Sequence, residues 1–173
     1  MWGDSMKSIK AVILDVDGVL TDGTVWWGAN GEELKRFCFY DVTGIPLAKK
    51  VGIIIGLISG ESSSCGMKIV DRFAEKLGIT DVYKGCHDKA DALNTFATKY
   101  NISLSMVCFM GNDINDLPAL KIAGLSVAPA NAHTSVRQQV DVVTQQRGGH
   151  GAVRELLDML IANQQKEKPT RGI

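Results

Sequence analysis

The stretch Val12-Ile13-Leu14-Asp15-Val16-Asp17-Gly18-Val19-Leu20-Thr21 decides how the rest of the chain folds. It follows Ala11 and opens with apolar, partly β-branched residues, which predict a fully buried strand in the middle of a parallel sheet. Two carboxylates and a glycine come directly after that strand. Aspartates are seldom buried without a partner or a cation, so we expect Asp15 and Asp17 at the carboxyl edge of the sheet, where open α/β folds carry their active sites.

The spacing of Asp15 and Asp17 suits phosphoryl transfer. One aspartate can attack phosphorus and carry an aspartyl-phosphate, while the other protonates the leaving alkoxide and later activates water. Two acids beside a phosphate need a cation, and Mg²⁺ prefers a few carboxylates together with phosphate oxygens and water. The alternative is a simple turn, since Asp and Gly commonly follow strands.

Alternating strand and helix patterns predict an α/β fold with a Rossmann-like, doubly wound parallel sheet. Strands are predicted at 11–14, 53–59, 82–83, 105–110, 125–128 and 142–143. Helices are predicted near 46–51, 67–77, 90–100, 117–123 and 153–163, with a further short one ending near Val140. We expect the 173 residues to form a single domain, with its core at about 8–162 and flexible ends at 1–7 and 164–173.

Charge, hydropathy and cysteine spacing exclude several classes of protein. With 19 basic and 19 acidic residues the formal net charge is zero, which argues against a nucleic-acid-binding protein that depends on a basic face. The chain contains no apolar run near the roughly 20 residues of a membrane span, and Met1–Lys7 lacks a signal-peptide core. The four cysteines form no Cys-x-x-Cys pair, which favours free thiols in a reducing cytoplasm.

The segment from Asp15 to Gly23 resembles the first motif of the haloacid dehalogenase-like phosphatases. Its Thr-Asp-Gly ending is similar to the subfamily of 3-deoxy-manno-octulosonate 8-phosphate phosphatases and of phosphatases for nine-carbon keto acid (KDN, N-acetylneuraminate) 9-phosphates. Three further motifs match in the same order, at Ser59, at Lys89 and at 111–116, so the resemblance spans roughly residues 8–160.

The resemblance implies a catalytic role for four residues. Asp15 is the nucleophile, and Asp17 is the general acid and base. Ser59 lies at the carboxyl end of a predicted strand, where a hydroxyl can hold a phosphate, although a helix N-cap is a compatible reading. Lys89 neutralises the nucleophile and the phosphoryl group, a role that a lone lysine at a helix start would not suggest.

The resemblance also implies a Mg²⁺ cofactor bound by Asp15, Asp17 and oxygens of the fourth motif. The first acid of that motif is replaced by Asn112, whose amide oxygen can still coordinate a hard cation. Asp113 or Asp116 then supplies the remaining charge. Which of these three side chains contacts the metal stays open.

A β-hairpin is predicted directly after the catalytic strand, with arms at 23–27 and 33–39 around a Gly-Ala-Asn-Gly turn. By resemblance it takes the place of a cap domain, packs the subunits into a homotetramer and helps to wall a neighbour's site. Exposed Trp26 and Trp27 fit that role because aromatic residues are enriched at interfaces. An ordinary surface hairpin is the alternative.

The substrate prediction depends on Glu61 in the segment Ser59-Gly60-Glu61. Octulosonate phosphatases usually have Arg at this position, whereas the phosphatases of nine-carbon keto acids look like Thr-Gly-Glu with a Lys farther along the helix, here Lys76. The resemblance therefore favours a sialic-acid-type 9-phosphate bound by Gly60, Glu61 and Lys76, with the octulosonate 8-phosphate as the alternative. Arg147, in a glycine-rich tail segment, could bind a substrate carboxylate bidentately.

A second class of function is a non-catalytic assembly module. Some vertebrate cytidylyltransferases for sialic acids carry a related domain for oligomerisation, with a similar Gly-Asn opening to the fourth motif. Asn112 fits that reading. The intact Asp15, Asp17, Ser59 and Lys89 favour the enzyme.

Overall fold

The computed structural model describes Met6 and residues 8–165. Of the ends predicted to be flexible, 1–7 and 164–173, residues 1–5, 7 and 166–173 lie outside the described residues. The strands are β1 Ala11–Leu14, β2 Trp26–Trp27, β3 Glu33–Leu34, β4 Ile54–Ile58, β5 Asp81–Tyr83, β6 Val107–Met110, β7 Leu125–Ala128 and β8 Val142–Val143. The helices are α1 Phe39–Lys50, α2 Ser64–Leu77, α3 Lys89–Tyr100, α4 Leu117–Ile122, α5 Thr134–Arg137 and α6 Ala152–Gln165. Gln164, which we expected to be flexible, belongs to α6, and its Nε2 donates to the carbonyl of Ile9 at 3.0 Å.

The strand β1 lies inside the main sheet, as its apolar sequence predicts. Within the described residues this sheet has six parallel strands in the order β5-β4-β1-β6-β7-β8. Leu14 pairs with Leu57 of β4 on one side and with Met110 of β6 on the other. The chain winds from β1 to β4 and β5 and then crosses to β6, so the strand order reverses between β1 and β6. Open α/β sheets bind ligands at the carboxyl ends of the strands at such a point.

Helices cover both faces of the sheet, and the alternation along β1 divides the core. Val12 and Leu14 pack on the side of α1, α2 and α6, whereas Ala11 and Ile13 pack on the side of α3, α4 and α5. All four side chains are fully buried. The predicted α/β fold with a doubly wound parallel sheet is confirmed.

The helix α1 begins at Phe39, well before the predicted start near Pro46. Its first turn is fixed by a tertiary contact that local sequence does not reveal. The buried carboxylate of Asp41 accepts hydrogen bonds from the N–H of Gly151 at 3.2 Å and of Arg154 at 2.8 Å. Asp41 thereby satisfies free N–H groups at the start of α6, as a capping residue does.

The helix α2 also begins earlier than predicted, at Ser64 instead of Met67. The side chain of Ser63 accepts a hydrogen bond from the N–H of Gly66 at 3.0 Å and so caps the first turn. Gly66 is close to the active-site segment, since a Cβ at this position would lie 2.1 Å from Oε2 of Glu61.

The predicted hairpin is formed by β2 and β3, whose arms are shorter than the alternation suggested. Trp26 pairs with Leu34 and Trp27 with Glu33. The exposed large apolar side chains on and beside the hairpin are Trp26, Trp27, Leu34, Phe39 and Tyr40. All four cysteines are free. Among the described residues, no helix combines the length and the apolar character needed to cross a membrane.

Candidate active site

Asp15 stands directly after β1, at the point where the sheet opens. Its N–H donates to the carbonyl of Met110 at 2.9 Å, which holds the residue level with the end of β6. Gly18 turns the chain with a φ of +91°. A Cβ at Gly18 would lie 2.3 Å from Nδ2 of Asn112, so only glycine lets the loop after β6 come this close.

Lys89 lies buried between two carboxylates. Its Nζ is 2.9 Å from Oδ1 of Asp15 and 2.5 Å from Oδ1 of Asp116, and the three side chains are 2%, 7% and 0% exposed. Lys89 is the first residue of α3. Its ammonium therefore lies against the carboxylate that follows β1, where it can also balance the charge of a phosphate.

Burial and charge act together on the two ends of this ion pair. Burial raises the pKa of Asp15 above its ordinary value, Lys89 opposes that rise, and the nearby Asp116 adds to it. For Lys89, burial lowers the pKa, but attraction to Asp15 and Asp116 outweighs it and the net pKa is raised. Lys89 is therefore a permanent cation, whereas Asp15 depends on neighbouring positive charge to stay ionised.

Asp116 was one of three alternatives for the metal ligand, and the structure gives it a different role. Its Oδ1 pairs with Lys89, and its Oδ2 accepts from the N–H groups of Asn112 at 2.7 Å and Asp113 at 3.0 Å. Both oxygens are thus committed within the protein. Asp116 positions Lys89 and closes the loop after β6, so it is not a metal ligand in this arrangement.

Three oxygen-bearing groups converge beside Asp15 and fit a hard cation. One terminal atom of the Asn112 amide lies 2.8 Å from the main-chain oxygen of Asp17 and 3.1 Å from Oδ2 of Asp15. If this atom is nitrogen, it donates to both oxygens. If it is oxygen, it stands about 3 Å from each of the other two oxygens, which is the spacing of adjacent ligands around an octahedral Mg²⁺ with bonds of about 2.1 Å.

Of the five predicted metal ligands, the structure brings Asp15, Asp17 and Asn112 together in this way. No group of three or more His, Cys, Asp or Glu side chains suited to a metal occurs in the part of the chain that the structure describes. Asp17 faces the candidate site through its main-chain oxygen, and Asn112 through its amide. Asp113 is exposed, and its Oδ1 accepts from the N–H of Ile114 at 2.7 Å.

The side chain of Asp17 is held by a residue that the sequence analysis did not identify. Nζ of Lys35, in the return arm of the hairpin, lies 2.9 Å from Oδ1 of Asp17 and 2.9 Å from Oε2 of Glu61. A third carboxylate, that of Glu33, is 3.4 Å away. The Lys35 side chain is 3% exposed. One buried ammonium therefore connects Asp17, the predicted acid–base residue, to the segment after β4 that is predicted to bind substrate.

Glu61 is consequently a paired carboxylate. Burial raises its pKa, but hydrogen bonds from Lys35 and from the Ser63 main chain outweigh this, and the pKa falls to about 2. The N–H of Ser63 donates to Oε1 of Glu61 at 2.8 Å. Ser59 is buried at the end of β4, and its Oγ accepts from the N–H of Glu61 at 3.1 Å. The segment 59–63 is thus held by hydrogen bonds within itself and by the ion pair between Glu61 and Lys35 of the hairpin.

These groups surround one open cavity of about 270 Å³. Its walls contain most of the predicted site residues, together with Asn115, which the sequence analysis did not single out. The lining residues are Asp15, Asp17, Gly60, Glu61, Lys89, Asn112, Asp113 and Asn115. Ser59 lies behind this lining.

Two predicted substrate-binding residues lie elsewhere. Lys76 lies near the end of α2, with its Nζ 5.6 Å from the centre of the Phe39 ring. It is therefore not paired with Glu61 for substrate recognition within this chain. Arg147 is exposed and does not line the cavity. The segment after it does approach the site, since a Cβ at Gly148 would lie 1.9 Å from the carbonyl oxygen of Gly18.

The sequence analysis missed Lys35 and Asn115, and the sequence contained a different signal for each. Lys35 follows Glu33 at the spacing of residues on one face of a strand, so the hairpin pattern could have pointed to a paired Lys35. Nothing local indicated that this face meets Asp17. Asn115 stands inside the fourth motif, and its position before Asp116 was the available signal.

The fold and the cavity define a class: a hydrolase with a doubly wound α/β fold that places a buried carboxylate, a buried lysine and further oxygen-bearing groups at one edge of the sheet. A model of the haloacid dehalogenase-like hydrolases matches residues 50–156. The chain belongs to that family, and it is a phosphoric monoester hydrolase. The intact Asp15, Asp17 and Lys89 around one cavity argue against the non-catalytic assembly module.

Relatives with known names cover nearly the whole chain. The 3-deoxy-D-manno-octulosonate 8-phosphate phosphatase KdsC of Escherichia coli K12 is 40% identical over 166 residues, which are 96% of this chain and 86% of the relative. The Moraxella catarrhalis phosphatase of the same name, solved with magnesium, phosphate and KDO, matches with a TM-score of 0.90 and 36% identity, covering 95% of this chain and 92% of that one. A cobalt-bound Haemophilus influenzae relative has a TM-score of 0.87 and 34% identity, covering 97% and 96%.

Proposed function

We propose that this phosphatase hydrolyses 3-deoxy-D-manno-octulosonate 8-phosphate. The observation that carries the proposal is the near-complete match to the Escherichia coli phosphatase of that name, with Asp15, Asp17 and Lys89 standing around one cavity. This reverses the order of our two substrate predictions. The nine-carbon 9-phosphate was favoured on Glu61 and Lys76, and Lys76 lies away from the cavity.

The chemistry proceeds in two displacements on phosphorus. A carboxylate oxygen of Asp15 attacks the phosphorus, the P–O bond to the sugar breaks, and Asp17 donates its proton to the leaving oxygen. Water then attacks the aspartyl-phosphate, Asp17 takes the proton of that water, and inorganic phosphate leaves as Asp15 is restored. Lys89 balances negative charge on the phosphoryl oxygens throughout.

We also propose that Mg²⁺ is the cofactor, held by Asp15, the main-chain oxygen of Asp17 and Asn112. The spacing of those three oxygen-bearing groups supports this assignment. When bound, the ion neutralises charge between nucleophile and phosphate and keeps Asp15 ionised despite its burial. Asn112 makes the set less negative than two carboxylates would, so we expect weaker Mg²⁺ binding than with aspartate at this position.

The decisive experiment is a comparison of kcat/KM for the eight-carbon 8-phosphate and the nine-carbon KDN 9-phosphate, with Mg²⁺ present. We expect the eight-carbon ester to be hydrolysed at least tenfold more efficiently. Preference for the nine-carbon ester, which Glu61 in place of the usual Arg would favour, would overturn the substrate assignment and leave the phosphatase assignment intact. No phosphate release from either ester would reject both substrates.

We propose, finally, that the chain forms a homo-oligomer through the exposed apolar face of the hairpin and α1. The side chains that support this are Trp26, Trp27, Leu34, Phe39 and Tyr40. Adjoining exposed aromatic side chains are typical of interfaces. Light scattering of the purified protein should give a mass above 18.7 kDa, and we expect a tetramer. A monomer at micromolar concentration would contradict this.

A further inference from the structure

A turn of the chain at residues 148–150 packs on the loop that follows Asp17. The N–H of Gly149 donates to the carbonyl of Val19 at 3.0 Å, and a Cβ at Gly149 would lie 2.4 Å from the main-chain nitrogen of Asp22. The 148–150 turn is therefore in close backbone contact with that loop. The phosphoryl chemistry described above uses none of its side chains.

Arg36 joins the 148–150 turn to the hairpin. Its side chain comes from the return arm of the hairpin, and its Nη2 lies 2.9 Å from Oδ2 of Asp22 and 2.8 Å from Nε2 of His150. Each of the two hydrogens on Nη2 therefore has one acceptor available. Arg36 directly follows Lys35, whose ammonium holds Asp17. The contact with His150 thus lies one residue from the group that positions the acid–base carboxylate.

The two contacts of the His150 ring determine where its hydrogen is. A guanidinium group has no acceptor, so Nε2 of His150 has to accept from Arg36 and carries no hydrogen. On the other side of the ring, Nδ1 lies 2.9 Å from the carbonyl oxygen of Gly148. A carbonyl oxygen only accepts, so Nδ1 carries the hydrogen. Both hydrogen bonds exist together only while the imidazole is neutral.

Protonation of His150 would break its contact with Arg36. Nε2 would then carry a hydrogen that meets an N–H of Arg36, and two positively charged groups would stand 2.8 Å apart. His150 is exposed to solvent, and histidine is the side chain that changes its charge between about pH 5 and 8. Asp22 keeps its charge in this range, because hydrogen bonds from Thr24 and from Arg36 lower its pKa to about 2. The change on acidification therefore falls on the contact between His150 and Arg36.

The other titratable groups around His150 mostly have partners of their own. On α6, Arg154 pairs with Asp158 at 2.8 Å, and Glu155 accepts from the N–H of Gln145 at 2.9 Å. Within the described residues, Arg36 is the charged side chain that forms a hydrogen bond with His150. The titratable groups on the elements that surround His150 are Asp22, Arg36, Tyr40 of α1, Arg147 of its own segment, and Arg154, Glu155 and Asp158 of α6.

We propose that His150 is a pH-sensitive latch, which in its neutral form accepts from Arg36 and holds the hairpin against the loop after Asp17, and in its protonated form releases it. The latched state is present above the pH at which His150 titrates and is lost as the pH falls. Release loosens the arm that carries Lys35, so Asp17 is held less firmly and turnover falls. His150 is thus a positioning residue. The inference rests on the proposed function only for the role of Asp17, and any phosphate ester can report it.

The first test is ¹⁵N NMR of the imidazole nitrogens, which reports the position of the hydrogen and does not depend on turnover. At about pH 7.5 we expect a neutral His150 with its hydrogen on Nδ1. On acidification to about pH 5.5, the guanidinium resonances of Arg36 should shift in the wild type and stay in place in His150→Gln. A hydrogen on Nε2 at about pH 7.5 would overturn the proposal, whichever ester the enzyme prefers.

The second test is kcat for p-nitrophenyl phosphate, with Mg²⁺ present, from about pH 8 to about pH 5.5. The amide oxygen of glutamine accepts from Arg36 and does not titrate, so His150→Gln keeps the latch closed at low pH. We expect kcat of this variant relative to the wild type to rise about fivefold over that range, the usual effect of one hydrogen bond. The ratio cancels the other ionisations, which both proteins share. His87→Gln, which removes another exposed histidine, is the matched control and should give a constant ratio.

A third variant, His150→Phe, keeps a ring but has no acceptor. Its kcat at about pH 8 should be about fivefold below the wild type, and adding Arg36→Met should cost less than Arg36→Met alone, because both changes remove the same contact. A constant ratio for His150→Gln, or additive losses in the double variant, would overturn the proposal. Failure of the proposed function looks different: the wild type would release no phosphate from octulosonate 8-phosphate, while the tautomer and the p-nitrophenyl phosphate ratios still decide whether His150 is a latch.

Discussion

Nζ of Lys35 lies 2.9 Å from Oδ1 of Asp17, so a residue of the hairpin holds the acid–base carboxylate at the end of β1. The same ammonium binds Glu61 at 2.9 Å. Without it, the like charges of Asp17 and Glu61 would repel each other in the wall of the active-site cavity. Lys35 is therefore a positioning residue for Asp17.

Replacing Lys35 by Met should lower kcat at least tenfold for octulosonate 8-phosphate and for p-nitrophenyl phosphate. The reason is that Asp17 loses the group that fixes it, and general acid–base catalysis contributes about 10²–10⁴-fold when well placed. Lys35→Arg keeps the charge and should restore part of the rate. Lys68→Met, at an exposed position on α2, serves as the control. Steady-state kinetics would contradict the prediction if Lys35→Met retained the wild-type kcat.

Asn112→Asp should tighten Mg²⁺ binding and destabilise the metal-free protein. The new carboxylate would stand about where the amide now lies 3.1 Å from Oδ2 of Asp15, so two like charges repel until a cation joins them. We expect a lower Tm without metal and an apparent Mg²⁺ Kd about tenfold lower, read from Tm against Mg²⁺ concentration. Asp113→Asn should leave the Kd unchanged, and a large shift there would make Asp113 the ligand instead.

Asp41→Ala should destabilise the fold without altering the catalytic groups. The carboxylate of Asp41 satisfies the N–H groups of Gly151 and Arg154 at the start of α6. Losing such a cap costs about 1–2 kcal/mol, which lowers Tm by roughly 2–8 °C in a chain of this size. Asp71→Ala, which breaks a solvent-exposed pair with Lys84, should change Tm little. Equal Tm values for the two variants would rule out the capping role.

Gly148→Ala should lower both Tm and kcat. The added Cβ would lie 1.9 Å from the carbonyl oxygen of Gly18, and neither backbone can yield without moving the loop that follows Asp17. Gly28→Ala is the matched control, because its Cβ would meet the movable end of Glu32. Thermal unfolding and turnover of p-nitrophenyl phosphate report the two effects, and wild-type values for Gly148→Ala would show that this packing is not needed.

The local sequence was sufficient to predict where a strand or helix begins and ends when its bounds depend only on its own residues. The strands β1 and β7 and the edge strand β8 have the predicted bounds, since each is a short apolar run between polar or glycine residues. The start of α1 was missed because Asp41 is fixed by a partner far along the chain. Lys76 was placed in the site because the resemblance to the nine-carbon keto acid phosphatases suggested it, whereas its ammonium lies over the ring of Phe39.

The site residues likewise divide into those that the sequence could place and those that depend on tertiary contacts. Residues that stand at strand ends or helix starts, such as Asp15 and Lys89, could be placed from the order of elements, because parallel strands bring their ends to one edge. The role of Asp116 could not be predicted, because it depends on which groups its carboxylate oxygens face. The contact between Lys35 and Asp17 depends on how the hairpin folds back over the sheet, and no periodicity encodes that.

The placement of β1 between β4 and β6 also governs when catalysis begins during synthesis. Leu14 finds its partners only in Leu57 and Met110, and Lys89 gains its second carboxylate only when Asp116 has been made. A nascent chain that stops short of the fourth motif therefore has its nucleophile but no ordered pocket around it. Truncated translation products that end before the fourth motif should therefore have no phosphatase activity.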